Sequence, residues 1–251
     1  MRIFGLIGYP LSHSFSKGFF AAKFEKEGLN DCKYENFPIA SIAEFASLLR
    51  QEPALEGINV TIPYKEQVIT FLDWKSEVVK KIGACNCIKI INGNLYGFNT
   101  DTTGFGESLK KGLLPHHNKA LIFGTGGAAK AVGYVMENLD IDHAYVTSSK
   151  EGNPGRVYKY EEITEDILNS HTLLINTTPL GMYPNTETYP SINYHLLTPR
   201  HYLFDLVYNP EKTTFLKRGE ERGATIQNGF DMLIIQAEES WKIWNNNQIE
   251  M

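Results

Sequence analysis

Cysteine is scarce in this sequence, with only Cys32, Cys85 and Cys87 among 251 residues. An odd, sparse set builds no disulfide framework and fits a reducing cytosol. The Cys85-x-Cys87 pair has no second cysteine or histidine pair nearby, and the seven histidines never take His-Glu-x-x-His spacing. No metal is therefore expected. Long apolar runs are missing too, and nothing approaches the ~20 residues a membrane helix needs. The short apolar start is broken by Pro10, Ser12 and His13, with no small-residue cleavage site, so a signal peptide is not expected. Basic residues are outnumbered: 24 Lys plus Arg face 29 Asp plus Glu, for a net charge of −5. Neither nucleic acid nor a membrane is expected as a partner.

The rest of the composition is that of a folded chain, 42% hydrophobic and 21% charged. At ~150 residues per domain the length allows one large or two modest domains. Strand-like and helix-like segments alternate. Strands are expected at residues 2–8, 32–39, 57–62, 85–91, 94–98, 120–123, 144–147, 172–176 and 202–207. Helices are expected at 14–27, 41–50, 64–72, 101–113, 126–139, 212–222 and 230–244. Asn92-Gly93 between two strands is a hairpin signal. The segment 151–156, Glu-Gly-Asn-Pro-Gly-Arg, reads as a loop. Such alternation implies an α/β fold with parallel sheets and helical crossovers.

One motif stands in its required context. Residues 121–123 form a strand, Gly124-Thr125-Gly126-Gly127-Ala128-Ala129 supplies Gly-x-Gly-x-x-Ala, and a helix follows. This is a dinucleotide fingerprint: Gly124 permits the turn, Gly126 lets backbone approach a pyrophosphate, and Ala129 permits close helix–strand packing. Amides at the helix start stabilise the anion. The next strand ends in Thr147-Ser148-Ser149-Lys150 rather than the acid that binds an NAD ribose, and Arg156 follows in the loop. Hydroxyls and cations there favour the 2′-phosphate of NADP; the alternatives are NAD or a plain solvent-facing loop.

Three polar constellations lie at expected strand ends. Ser12, Ser14 and Ser16 precede or open an amphipathic helix, and N-capping explains only one of them. Several hydroxyls at a helix start suit a small carboxylate. Asn59 and Thr61 lie two apart on a strand and share a face. Lys65 follows Pro63 at an expected helix start, where a cation is disfavoured by the helix dipole. Asn86 and Asn99 both donate and accept, which suits ligand hydroxyls. Asp101 is placed to N-cap the next helix.

In order along the chain, Ser14-Phe15-Ser16, Asn59-Val60-Thr61-Ile62-Pro63-Tyr64-Lys65, Gly83-Ala84-Cys85-Asn86, Gly97-Phe98-Asn99-Thr100-Asp101, the glycine loop, Asn176-Thr177-Thr178-Pro179-Leu180-Gly181-Met182, Asp205-Leu206-Val207-Tyr208-Asn209-Pro210 and Gly229-Phe230-Asp231-Met232 through Gln236 resemble the shikimate dehydrogenase family. The resemblance implies reversible NADPH-dependent reduction of 3-dehydroshikimate to shikimate, toward aromatic amino acids. It implies Lys65 and Asp101 as the catalytic pair, acting as one unit, with the proton carrier left open between them. Ser14, Ser16, Asn59, Thr61, Asn86, Asp101, Tyr208 and Gln236 would hold the substrate, the serines and Tyr208 at its carboxylate. Gly124, Gly126, Gly127 and Ala128 would cradle the pyrophosphate, with Ser148, Ser149 and Lys150 near the adenosine ribose. Thr177, Met182, Gly229 and Met232 would line the rest of the cofactor site. Two departures stand out: Lys17 where the family often has Pro, and no Asn-Arg-Thr after the second strand of the nucleotide domain.

The implied organisation is an N-terminal α/β substrate domain, residues 1–101, and a Rossmann-type dinucleotide-binding domain, 102–229, with a cleft between them. The last helix, within 230–251, would pack back on the first domain. A monomer or homodimer is expected. Quinate as substrate is the alternative on the same scaffold, and a non-catalytic dinucleotide sensor the alternative from another class.

Overall fold

The computed structural model describes residues 1–11, 14–148 and 156–246. Ser149 and Lys150, expected beside the adenosine ribose, lie outside the described residues, as does most of the 151–156 loop. The chain divides into two compact units: Met1–Thr100 together with the chain from Ala237 onward, and Asp101–Gln236.

The first unit holds β1 (Arg2–Gly8), α1 (Phe15–Glu27), β2 (Cys32–Pro38), α2 (Phe45–Gln51), β3 (Leu55–Val60), β4 (Trp74–Lys75), α3 (Glu77–Ile82), β5 (Cys87–Ile91) and β6 (Asn94–Phe98). The second holds α4 (Asp101–Leu109), β7 (Lys119–Phe123), α5 (Gly127–Asn138), β8 (Asp142–Val146), β9 (Val157–Tyr158), α6 (Glu165–Ser170), β10 (Leu173–Asn176), β11 (Tyr202–Asp205), α7 (Thr214–Glu220) and β12 (Thr225–Gln227). The last helix, α8 (Phe230–Asn245), begins in the second unit and ends in the first.

In the first unit the strand order is β2-β1-β3-β5-β6-β4. β2, β1 and β3 run parallel, while β5 pairs antiparallel with β3 and β6. The alternation of side chains across a strand splits the core. Phe4 and Leu6 face the aromatic cluster of α1 and α8, while Ile7, Ile58 and Val60 face the cluster that includes α2. Gly57 lets the end of α8 reach the sheet, since a Cβ there would lie 2.4 Å from the Trp244 indole nitrogen. That nitrogen donates to the Ile88 carbonyl at 3.0 Å. The buried Lys89 amine donates to the carbonyls of Ile243 (3.2 Å) and Asn246. A cation at the carboxyl end of α8 completes its orphan carbonyls and opposes its dipole.

In the second unit the order is β12-β11-β10-β7-β8-β9, every pair parallel. This is the doubly wound dinucleotide-binding order, and its switch point falls between β7 and β10. The central strands are apolar on both faces: in β7, Ala120 and Ile122 pack toward α4 and α5, Leu121 and Phe123 toward α6 and α7.

Four expectations are corrected. Residues 64–72 form no α-helix; a turn leads into a single 3-10 stretch at Gln67–Phe71. The β-branched Val68-Ile69-Thr70 disfavours α-helix there, so the dipole argument for Lys65 lapses. β3 stops at Val60, so Thr61 lies just past the strand. α4 ends at Leu109 rather than 113, shortly before Gly112, which packs against the Tyr202 ring. Asp101 stands inside the first turn of α4 instead of capping it.

Three buried histidines sit just before strands of the second sheet: His117 before β7, His171 before β10 and His201 before β11. Each ring meets a carbonyl, of Arg200 (3.1 Å), Ile167 (2.8 Å) and Leu168 (3.1 Å) respectively. Burial pushes each below the ordinary histidine value. The folded chain then binds fewer protons than the unfolded chain, so their contribution is intact above about pH 6.5 and is lost as pH falls toward their folded values. Asp205 works the other way: burial pushes it up to about 7, so acidification through that range favours the fold. Comparing variants isolates one group. His171→Phe is expected to shrink the drop in Tm between about pH 7 and pH 5 relative to wild type, because a buried imidazole nitrogen of His171 has no partner. An equal or steeper drop would refute this assignment.

Candidate active site

Ser14 is the N-cap residue of α1, yet its side chain makes no capping hydrogen bond. Ser76, Thr164 and Thr213 hold the same position on α3, α6 and α7, and each accepts an amide of the first turn. The Ser14 hydroxyl is instead buried without a partner. Such an orphan costs free energy unless something else meets it. Capping thus fails to account for Ser14, and Ser12 lies outside the described residues.

Ser16 lies in the first turn of α1, near the Tyr34 phenol. Tyr34 is fully enclosed, and burial pushes its titration up. It donates to Asn59 Oδ1 at 2.9 Å. Asn59 Nδ2 donates to Ser240 Oγ (2.9 Å) and to the Asn86 carbonyl (3.3 Å). Asn86 Nδ2 donates to Thr100 Oγ1 (3.0 Å), the Thr100 amide returns to Asn86 Oδ1 (2.7 Å), and Thr100 Oγ1 meets Ser240 Oγ at 3.2 Å. Asn59 and Asn86 are thereby joined into one buried network. Tyr34, Thr100 and Ser240 complete it and were not among the expected residues. Asn99 is tied separately, donating to the Ala84 carbonyl at 2.9 Å.

Lys65 is half-buried in the turn after Pro63. Its carbonyl accepts the Cys85 amide at 2.8 Å. The preceding Tyr64 is buried and donates its phenol to the Ile39 carbonyl at 2.7 Å. Thr61 is held by its amide on the Ile7 carbonyl at 2.9 Å.

In the second unit Asp101 is 5% exposed, in the first turn of α4 where a carboxylate is favoured. One turn on, Gly104 lets α8 approach: a Cβ there would lie 2.7 Å from the Met232 carbonyl and 3.0 Å from Gln236 Cβ. Asp101 and the nearly buried Gln236 therefore come from helices in close contact. Gln236 Nε2 donates to the Leu233 carbonyl at 2.9 Å. Tyr208 is half-buried, and burial raises its titration.

The glycine loop follows β7 at the switch point. Gly124 has φ +108°, and a Cβ on it would meet Thr177 Oγ1 at 2.7 Å. Thr177 donates its hydroxyl to the Phe123 carbonyl at 2.6 Å, so the loop after β10 is fastened to the glycine loop. Gly126 is the N-cap of α5, has no side chain to cap it, and has nothing within 4 Å of a Cβ position. The first-turn amides at Gly127 and Ala128 need partners from outside the helix. Met182 is 45% exposed, while Met232 is packed in the core with Phe105 and Phe204. Gly229 meets the Leu206 carbonyl so closely that a Cβ would lie 2.1 Å away. Ser148 is exposed at the end of β8, and the Arg156 guanidinium lies 5.0 Å from the Tyr158 ring centre. Among the described residues no cluster of His, Cys, Asp and Glu could hold a metal ion, and no helix is long and apolar enough to cross a membrane.

A doubly wound parallel sheet with an open glycine loop at its switch point, in one chain with a second α/β unit, defines an α/β protein of the dinucleotide-binding class. Residues 6–88 match the model of the shikimate dehydrogenase substrate binding domain. A shikimate dehydrogenase (NADP(+)) of Clostridium beijerinckii is 38% identical over all of this chain and 94% of its own. Shikimate 5-dehydrogenase of Thermus thermophilus, solved in complex with NADP(H) and shikimate, is 30% identical with a TM-score of 0.86, over 98% of this chain and 94% of that one. Quinate dehydrogenase of Corynebacterium glutamicum, solved with NAD, is 26% identical with a TM-score of 0.86, over 97% and 93%. The chain belongs to the shikimate dehydrogenase family.

Proposed function

We propose that this chain catalyses the reversible NADPH-dependent reduction of 3-dehydroshikimate to shikimate. The single observation that carries the substrate assignment is the Ser14 hydroxyl: buried, unpartnered and at the start of a 13-residue helix. A carboxylate supplies the acceptor such a donor lacks, in a place the helix dipole favours. Ser16, Thr61, Asn86, Tyr208 and Gln236 complete the substrate contacts. Asn59, its amide engaged with Tyr34, Ser240 and the Asn86 carbonyl, is held beside Asn86 in the same set.

The second unit fits a dinucleotide. The open space over Gly126 and the uncapped start of α5 form a cradle of the right chemistry for a pyrophosphate. When bound, the reduced nicotinamide supplies the hydride. Gly124, Gly126, Gly127 and Ala128 hold the pyrophosphate, with Thr177, Met182 and Gly229 along the cofactor. Met232 supports that region from the core. Ser148, with Arg156 beyond it, stands nearest the adenosine ribose. Lys65 and Asp101 act together on the oxygen that becomes a hydroxyl: one moves the proton and the other orients it. Three free cysteines suit a reducing cytoplasm.

The test is reduction of NADP or NAD with shikimate or quinate, followed by the nicotinamide absorbance. Turnover with shikimate and NADP is expected. Turnover with quinate alone would overturn the substrate, preference for NAD would overturn the cofactor, and cofactor binding without turnover would make the chain a sensor. Ser14→Ala is expected to raise the KM for shikimate roughly tenfold, as for a lost hydrogen bond to a charged group, with the KM for NADP unchanged. An unchanged shikimate KM would remove Ser14 from the substrate site.

A further inference from the structure

Asp205 is fully buried at the carboxyl end of β11. Burying a carboxyl group is costly unless hydrogen bonds compensate, and here three donors converge on it. Thr213 donates its hydroxyl to Oδ2 at 2.5 Å, while Asn176 Nδ2 (2.9 Å) and the Val207 amide (3.0 Å) donate to Oδ1. Each donor belongs to a different segment. Asn176 ends β10, directly opposite Asp205 in the parallel register. Val207 lies in the loop after β11, and Thr213 is the N-cap of α7.

Asn176 passes the constraint on. Its Oδ1 accepts the Thr178 amide (3.1 Å) and hydroxyl (2.6 Å), and its Nδ2 also donates to the Leu180 carbonyl (3.2 Å). The loop it shapes carries Thr177, fastened to Phe123 beside Gly124. Farther out, the Tyr183 amide donates to the Asn209 carbonyl at 3.2 Å, joining the loop after β10 to the loop after β11. The two loops and the glycine loop are one hydrogen-bonded body with Asp205 at its base.

We propose that Asp205 is a positioning residue for the dinucleotide: through Asn176 it sets the loop of residues 176–182 against the glycine loop. The inference rests on the reading that the second unit binds a dinucleotide. Asp205 acts through Asn176 and the loop, and its effect belongs to cofactor affinity rather than to the chemical step.

The experiment uses the full chain with Asp205→Asn, Asp205→Ala and a control, Ser108→Ala. The control removes the buried hydroxyl that accepts Gln227 Nε2 at 2.7 Å in the same unit, outside the hydrogen bonds that converge on Asp205. NADPH and NADH affinities are read by ligand fluorescence, stability by Tm, and loop order by hydrogen exchange at Thr178 and Leu180. Asp205→Asn keeps the shape but offers one acceptor oxygen where the carboxylate offers two. It is expected to raise the Kd for the preferred dinucleotide roughly tenfold, with faster exchange at Thr178 and Leu180 and kcat within about twofold of wild type. Asp205→Ala is expected to be worse in both respects, and if it fails to fold the asparagine variant decides. Ser108→Ala is expected to lower Tm and leave the Kd alone. A wild-type Kd in Asp205→Asn, or an equal rise in Ser108→Ala, overturns the positioning role while the function stands. Wild type binding neither dinucleotide overturns both.

Discussion

Lys65→Ala is expected to lower kcat for shikimate oxidation by roughly 10²–10⁴-fold, the range general acid–base groups contribute. The backbone at this position does not depend on the amine. The Lys65 carbonyl is held by the Cys85 amide, and its neighbour Tyr64 is anchored in the core through the Ile39 carbonyl. Tm should therefore stay near wild type, since surface changes away from packing or caps move stability by about 0.5 kcal/mol or less. Lys65→Arg separates two roles. Arginine keeps the charge but does not give up its proton, so recovery would assign electrostatic stabilisation and failure would assign proton transfer. Asp101→Asn should be slow as well, and the double variant little slower than the worse single one, because groups that act as a unit are not additive. A Lys65→Ala enzyme with near-normal kcat would remove the pair from the chemistry.

Much of this architecture is legible in the sequence because its signals are local. The glycine loop announces itself by a strand, two spaced glycines and small residues, and the structure adds that Gly124 truly occupies the left-handed region. The alternation of elements foretells the parallel second sheet, whereas the first sheet is mixed, with β5 antiparallel to β3 and β6. What stays hidden is whatever depends on partners distant in sequence. β4, β9 and β12 are two or three residues long and exist only because a neighbouring strand pairs with them. The network through Tyr34, Asn59 and Ser240 joins residues 25 and 181 positions apart. No periodicity reports it, although a serine buried in the apolar face of α8 is a mark of it. Ser14 shows a subtler limit: its position is that of a cap, and only the geometry reveals that the cap bond is not made. Asp205 was visible as part of a motif, but its burial and three donors are properties of the sheet.

The two glycines of the cofactor loop differ in a way that makes the dinucleotide testable without a ligand-bound structure. Gly124→Ala is strained by the fold itself. Its φ of +108° is unfavourable for a side chain, and its Cβ would press on a Thr177 hydroxyl already committed to Phe123. The left-handed strain alone is worth about 1–3 kcal/mol, so this variant should lose stability and affinity together, and it says little about what the loop binds. Gly126→Ala has no such excuse. Its φ is −75° with extended ψ, which alanine adopts freely, and among the described residues no atom beyond its chain neighbours lies within 4 Å of the added carbon. By restricting the unfolded chain, such a change stabilises a protein by about 0.4–1 kcal/mol. A pyrophosphate resting on the α5 amides would occupy the space that the methyl group fills, so the Kd for NADP should rise roughly 100-fold, about 2.7 kcal/mol. The expected Gly126→Ala enzyme is thus as stable as wild type or slightly more so, with its substrate unit untouched and its cofactor affinity collapsed. Unchanged affinity would place the pyrophosphate elsewhere. A fall in Tm would mean that the added methyl group meets the fold itself, and the lost affinity would then not report the pyrophosphate.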